Sequence, residues 1–220
     1  MEVRGLNISE QQLTLYAVTD RKWLEDGQTL AGQVEQAILG GVTVVQLREK
    51  HASAAEFLAL AQEVKQVTDR YQVPLIINDN LEVALAVDAA GIHVGQEDLA
   101  AAAVRQKIGD KKIVGVSAQT VEQALAAEQA GADYLGVGAV FPTSSKDDAV
   151  EVDFATLQAI CQAVPIPVVA IGGITAQNMT ALQGSGIVGV AVISAIFGKP
   201  DVKKAAQDLA AAWNSLPENR

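Results

Sequence analysis

Val44-Val45-Gln46-Leu47-Arg48-Glu49-Lys50 passes from apolar to charged in one short run. If Val42–Leu47 is a buried strand, alternation turns Gln46, Arg48 and Lys50 to one side as the strand ends. An amide and two cations then converge on one spot. Buried cations need partners, and a phosphate or diphosphate is a fitting one. The competing reading is a solvated strand-to-helix loop. Two acidic residues stand nearby. Asp79 lies in Asn78-Asp79-Asn80 and Asp98 ends His93-Val94-Gly95-Gln96-Glu97-Asp98, each after an apolar run. Carboxylates a few ångströms apart repel unless one stays protonated or a cation joins them. A hard divalent ion such as magnesium (Mg2+) takes one or two carboxylates with phosphate oxygens and water. The alternative makes Asp79 a turn residue and Asp98 a helix N-cap before Leu99.

Ile171-Gly172-Gly173-Ile174 and Val192-Ile193-Ser194-Ala195 suggest a third kind of chemistry. Glycine lets backbone N–H groups approach phosphate oxygens closely. His93, inside an apolar strand, reads as structural, because no Ser or Cys with a third orienting group stands out as its partner. Zinc spacing, a Walker loop and a strand–helix GxGxxG are absent from the sequence. Trp23 and Trp213 read as packing residues.

These residues must be held by something, and the rest of the chain supplies it. β-branched runs alternate with Ala-rich amphipathic stretches. Strands are expected near Leu13–Val18, Val42–Leu47, Leu75–Asn78, Gly91–Val94, Lys112–Val116, Tyr134–Val137, Val168–Ile171 and Gly189–Ile193. Helices are expected over Leu30–Leu39, Ala54–Tyr71, Leu81–Val87, Ala100–Ile108, Val121–Ala130, Phe154–Ala163, Ala176–Leu182 and Asp201–Trp213. Thr29, Ser53, Thr120 and Thr175 suit N-caps. The joints Gly40-Gly41, Ala90-Gly91, Ala130-Gly131 and Gly184-Ser185-Gly186 suit helices that end in the left-handed region. Strands separated by helices pair in parallel through right-handed crossovers. Eight such units point to an α/β fold, a (β/α)8 TIM barrel in a single domain, over a doubly wound open sheet. Residues 1–12 are then an N-terminal arm and residues 13–220 the barrel. In this fold function gathers at the carboxyl ends of the strands, and Gln46, Arg48, Lys50, Asn78, Asp79, Asp98, Ser117, Thr143, Ser145, Lys146, Gly173, Ile193 and Ser194 all follow or end strands.

The 220 residues suffice for a well-buried core, half of them are hydrophobic, and the net charge is −10. That charge, with no basic stripe, argues against nucleic acid. The one cysteine, Cys161, excludes an internal disulfide and fits a reducing cytoplasm. It sits in a helical pattern and reads as a small buried hydrophobe. Met1 to Gln12 is polar and resembles no signal peptide. Apolar stretches are all interrupted short of a membrane span, so no membrane partner is expected. The sequence neither demands nor excludes a homo-oligomer.

The set Gln46-Leu47-Arg48-Glu49-Lys50, Asn78-Asp79, His93 to Asp98, Gly115-Val116-Ser117, Pro142-Thr143 with Lys146, Ile171-Gly172-Gly173-Ile174 and Ile193-Ser194 resembles the thiamine phosphate synthase family, from about Leu15 to the last helix. The resemblance implies a barrel enzyme with two small-molecule substrates. It condenses 4-amino-2-methyl-5-hydroxymethylpyrimidine diphosphate with 4-methyl-5-(2-hydroxyethyl)thiazole phosphate, giving thiamine phosphate and pyrophosphate. It implies that Arg48, Lys50, Asn78 and Lys146 hold the diphosphate, that Gln46 and Ser117 contact the pyrimidine side, and that Asp79 and Asp98 hold Mg2+. Thr143 and Ser145, with backbone at Gly173, Ile193 and Ser194, are implied for the thiazole phosphate. Ser145 stands where the family usually has Thr, His51 where a small residue is common, and Gln119 where His is frequent. Phe141 to Asp148 is long enough to form a mobile lid. Three rivals differ. A thiazole tautomerase needs a His after the fifth strand, where Ser117-Ala118-Gln119-Thr120 has none. A sugar-phosphate epimerase or isomerase explains Gly172-Gly173 and Ser194 but not the Asp79/Asp98 pair. A non-catalytic barrel that binds thiamine precursors differs by not turning over.

Overall fold

The computed structural model describes residues 5–95, 101–143 and 151–217. Eight strands close into a barrel in chain order: β1 Leu15–Val18, β2 Val44–Leu47, β3 Leu75–Asn78, β4 Gly91–Val94, β5 Ile113–Ala118, β6 Tyr134–Val137, β7 Val168–Ile171 and β8 Gly189–Val192. Every neighbouring pair is parallel, and β1 closes on β8 with Tyr16 opposite Ala191. The helices among the described residues are α1 Leu30–Leu39, α2 Ala54–Arg70, α3 Leu81–Ala86, α4 Ala101–Ile108, α5 Val121–Gln129, α6 Phe154–Ala163, α7 Ser194–Phe197 and α8 Val202–Asn214. None is long and apolar enough to cross a membrane.

Strand parity sorts the barrel into two cores. Leu15, Ala17, Val45, Leu47, Leu75, Ile77, Ile92, Val114, Leu135, Val137, Val168 and Val190 face the helices and form one continuous apolar layer with them. The alternate residues Tyr16, Val18, Val44, Ile76, Ile113, Tyr134, Val169 and Ala191 fill the inside. Runs apolar on both faces are what a parallel sheet covered by helices requires. Ile8 joins the inner cluster, and Asn7 donates to the carbonyls of Asp110 and Lys112 and to Asp133. Those residues precede β5 and β6, so this segment lies across the amino-terminal mouth.

Local chemistry explains most helix starts. Thr29, Ser53, Asn80, Thr120, Asp153 and Asp201 each accept a hydrogen bond from a backbone N–H in the first turn of the helix that follows. The helix expected over Ala176–Leu182 is instead a turn and a short 3-10 helix, Met179–Leu182. Thr175 and Asn178 bond each other's backbone N–H reciprocally, and Asn178 Nδ2 donates to Gly173 O at 2.9 Å. Such side-chain bonds compete with the helical ladder. The strand expected from Leu13 starts at Leu15, because Gln11–Leu13 forms a 3-10 turn. Gly131 takes the left-handed φ expected of it, but Gly91 does not; Asp88 makes that turn at φ 51°. Gly91 is needed for close approach, since a Cβ there would lie 2.2 Å from Ile113 O. Trp213 is buried as expected, whereas Trp23 is 39% exposed beneath the Lys22 ammonium. Cys161 is half-buried, and burial pushes its thiol up to about 11.

Candidate active site

Parallel closure puts all eight carboxyl-terminal strand ends on one rim. Gln46, next to last in β2, is buried and faces inward; its Nε2 donates to Tyr16 Oη at 2.8 Å. The β1–β2 pair extends past the ladder, with Thr19 N donating to Gln46 O at 2.9 Å and Arg48 N to Thr19 Oγ1 at 3.1 Å. Arg48 is half-buried and Lys50 exposed, at alternate positions from Gln46 as the strand period requires. Between them Glu49 turns the other way. It pairs with Arg21, which also holds Glu56 at the start of α2.

Asn78 ends β3 and donates from Nδ2 to Asp79. Asp79 is exposed, sits at φ 60°, and donates its backbone N–H to His93 O at 2.9 Å. Left-handed backbone is uncommon for a residue other than glycine, though Asp tolerates it. Asn80, and not Asp79, caps α3. Asp79 is therefore a turn residue whose carboxylate is raised above the rim. Asp98, Ser145 and Lys146 lie outside the described residues, as does the loop considered as a lid from residue 144 onward. Among the described residues no three acidic, histidine or cysteine side chains cluster as a metal cage. Mg2+ does not need one, since it keeps water and takes few carboxylates. An exposed carboxylate on the rim fits that requirement.

On the opposite arc, Gly172 and Gly173 turn at φ 101° and 64° after β7. A Cβ on Gly173 would meet Pro142 O at 2.5 Å and Phe141 Cβ at 2.8 Å. The turn is thus pressed against the segment that carries Thr143. Ile193 caps α7 with its carbonyl, which accepts from Ile196 and Phe197, and no side chain caps the helix. Ser194 is exposed at the first helical position. β7 and β8 are neighbours, so Gly173, Thr143, Ile193 and Ser194 share one arc of the rim.

The expectation that no serine partners His93 needs correction. Its Nε2 is 3.0 Å from Ser117 Oγ and its Nδ1 3.0 Å from Tyr134 Oη. Tyr134 Oη is 2.7 Å from Tyr16 Oη. A polar chain, Gln46–Tyr16–Tyr134–His93–Ser117, therefore crosses the inside of the barrel just below the rim. Burial pushes both phenols well above their ordinary pKa, so they stay neutral. Two expected site residues, Gln46 and Ser117, are its ends. That Tyr16, Tyr134 and His93 link those two was not legible in the sequence. The signal available was small residues opposite large ones: a Cβ on Gly115 would lie 2.2 Å from Tyr134 Cζ, and one on Gly136 3.1 Å from His93 Cε1.

Comparison with known proteins places this geometry. The family model described as thiamine monophosphate synthase matches residues 15–196. The chain is similar to proteins named thiamine-phosphate synthase. One, from Clostridium tetani (strain Massachusetts / E88), is 56% identical over 201 residues, covering 91% of this chain and 96% of that protein. One from Methanobrevibacter smithii (strain ATCC 35061 / DSM 861 / OCM 144 / PS) is 49% identical, covering 90% and 93%. The solved structure of thiamine phosphate pyrophosphorylase from Pyrococcus furiosus superposes with a TM-score of 0.87 at 38% identity, covering 94% of this chain and 98% of that one.

Proposed function

The chain belongs to the thiamine monophosphate synthase family, and from that premise we propose how its barrel rim joins two phosphorylated heterocycles. It is a thiamine-phosphate synthase, a transferase of thiamine biosynthesis. The reaction breaks the bond between the pyrimidine's methylene carbon and its diphosphate and forms a bond from that carbon to the thiazole nitrogen. Pyrophosphate leaves.

In this proposal Arg48, Lys50, Asn78 and Lys146 hold the diphosphate. Gln46 and Ser117 face the pyrimidine side. Thr143 and Ser145, with backbone groups at Gly173, Ile193 and Ser194, hold the thiazole phosphate. Asp79 and Asp98 would hold Mg2+, which when bound offsets charge on the departing diphosphate. What supports the division is the closed parallel order, with the diphosphate candidates Arg48, Lys50 and Asn78 at the ends of β2 and β3 and the thiazole-phosphate candidates after β6, β7 and β8; Lys146, which also follows β6 in the chain, is assigned to the diphosphate from the family resemblance alone. Little proton transfer is needed. Catalysis rests on fixed positive groups aimed at the leaving oxygens and on alignment of two bound rings. A cytoplasmic setting belongs to the same proposal and rests on the lone cysteine.

Pyrophosphate release is the assay. It should require both substrates, with Arg48→Ala lowering kcat/KM by about 10²–10³, the usual loss for one preorganised charge contact. Asp79→Ala should remove most of the response to Mg2+. Release from the pyrimidine diphosphate at the full rate without the thiazole would overturn the transfer reading. A normal Mg2+ response in Asp79→Ala would overturn the metal assignment.

A further inference from the structure

We propose that Thr19 and Arg21 are positioning residues: from the connection after β1 they fix the segment beyond β2, so that Arg48 is presented to the diphosphate side of the rim. The proposal rests on the reading that Arg48 holds the diphosphate.

The sheet does not impose this by itself. Its ladder ends where Val18 stands opposite Gln46 and Leu47 opposite Ile77. Residues 48–50 lie beyond β2, and strict alternation of side chains belongs to paired strands. Two contacts take over from the ladder. The first is on Arg48's own backbone. Its N–H donates to Thr19 Oγ1 at 3.1 Å, and Thr19 N donates to Gln46 O at 2.9 Å. Thr19 is buried, so this link is shielded from water. The second contact is on the next residue. Arg21 Nε and Nη2 both donate to Glu49 Oε2 at 2.8 Å, and Nη1 donates to Glu56 Oε1 at 2.7 Å. Glu49 is thereby drawn away from the rim, its side chain 5% exposed. Arg48 before it is left on the opposite side, where Gln46 already faces inward.

Both ends of the guanidinium bridge are themselves fixed. Asp20 accepts from Lys22 N at 3.1 Å and so shapes the 3-10 turn that carries Arg21. Glu56 sits in the first turn of α2, where its N–H donates to the Ser53 cap. One side chain thus ties together the connection after β1, the end of β2 and the start of α2. The planar fork of arginine suits this task, since its nitrogens reach two carboxylates in one fixed geometry; a lysine ammonium is a point charge on a flexible stem. A charged group displaced by about 1 Å can lose about 10²-fold of its effect on rate, so fixing Arg48 from two directions bears directly on how well it meets a leaving group.

Thr19→Val removes the acceptor and keeps the shape; Arg21→Gln removes the fork. Calorimetry measures the binding of pyrophosphate with Mg2+ to each variant, and the release assay gives kcat/KM for the pyrimidine diphosphate and KM for the thiazole phosphate. Each variant should weaken pyrophosphate binding and lower kcat/KM by about tenfold, short of the Arg48→Ala loss, because a misplaced group keeps part of its effect. KM for the thiazole phosphate should not move. Thr19→Ser, which keeps the accepting oxygen, should restore wild-type binding. Each substitution is then placed in Arg48→Ala. Residues that act through Arg48 should cost nothing further there, whereas a general loss of structure adds to the Arg48→Ala loss. Additive losses, or wild-type pyrophosphate binding in both Thr19→Val and Arg21→Gln, would overturn the positioning role and leave the reading of Arg48 standing. Wild-type pyrophosphate binding in Arg48→Ala would sink that reading and the proposal with it. Two separate variants, each checked by urea unfolding, guard against one that folds poorly.

Discussion

Asp79 shows how one residue's backbone and side chain divide their work. Its N–H ties the end of β3 to His93 O while its left-handed φ lifts the carboxylate into the open. Gly115 is the reverse case, a position defined by what it lacks. A Cβ there is fixed to the backbone and would sit 2.3 Å from Tyr134 Oη. Gly115→Ala should therefore move Tyr134 off both its partners, cost about 1–3 kcal/mol as overpacking usually does, and reduce turnover. Urea unfolding and the pyrophosphate assay check both parts. Cys161 allows a simpler forecast. With its thiol pushed up to about 11, the thiolate at pH 8 is roughly 0.1%, against a quarter or so for a free cysteine. Iodoacetamide labelling of the folded protein should be correspondingly slow at pH 8, and labelling at the free-thiol rate would refute the burial argument.

At the scale of elements, the connection from β1 to α1 is pinned from outside the barrel. Arg21, on the 3-10 turn Arg21–Trp23, bridges Glu49 after β2 and Glu56 in α2. Glu49's side chain is 5% exposed, and its Oε1 finds no hydrogen-bond partner among the described residues. Burial outweighs Arg21 and raises its pKa above the ordinary 4.5. The sign follows from linkage. The folded state binds this proton more tightly than the unfolded state, so the contribution is full below the ordinary value and is lost as pH rises through the folded one. Relative to Glu49→Gln, wild-type stability should fall as pH rises above the ordinary 4.5. A difference between the two proteins that is flat with pH would show that Arg21 fully offsets the burial.

For the molecule as a whole, chemistry and stability occupy opposite mouths of the barrel. The amino-terminal mouth holds the buried pair Arg105–Asp133 at 2.6 Å. Asp133 also accepts from Val114 N, and Arg105 donates to the carbonyls of Gly131, Gly109 and Lys112. Both ions are well satisfied, so removing one leaves the other buried and unpaired. Asp133→Ala should cost about 3–5 kcal/mol while leaving KM for either substrate near its wild-type value in whatever fraction folds. Chemical denaturation and steady-state kinetics separate the two, and a large KM change would mean that the mouths communicate.

The order of eight strands, their parallel pairing and the crowding of polar residues at strand ends followed from the sequence, because period, length and caps are local properties. Arg48, Asp79, Gly173 and Ser194 were placed on the rim by that order alone. The turn at Thr175–Asn178 was missed because paired side-chain bonds overrode a helical pattern. Only the tertiary structure decided what His93 touches. Tyr16, His93, Ser117 and Tyr134 come from four strands, with Tyr16 and Tyr134 separated by 118 positions of sequence, and no local pattern links them. Closure of the barrel brings their side chains to hydrogen-bond distance in a space that Gly115 and Gly136 leave open, and that meeting turns separate core residues into one polar chain.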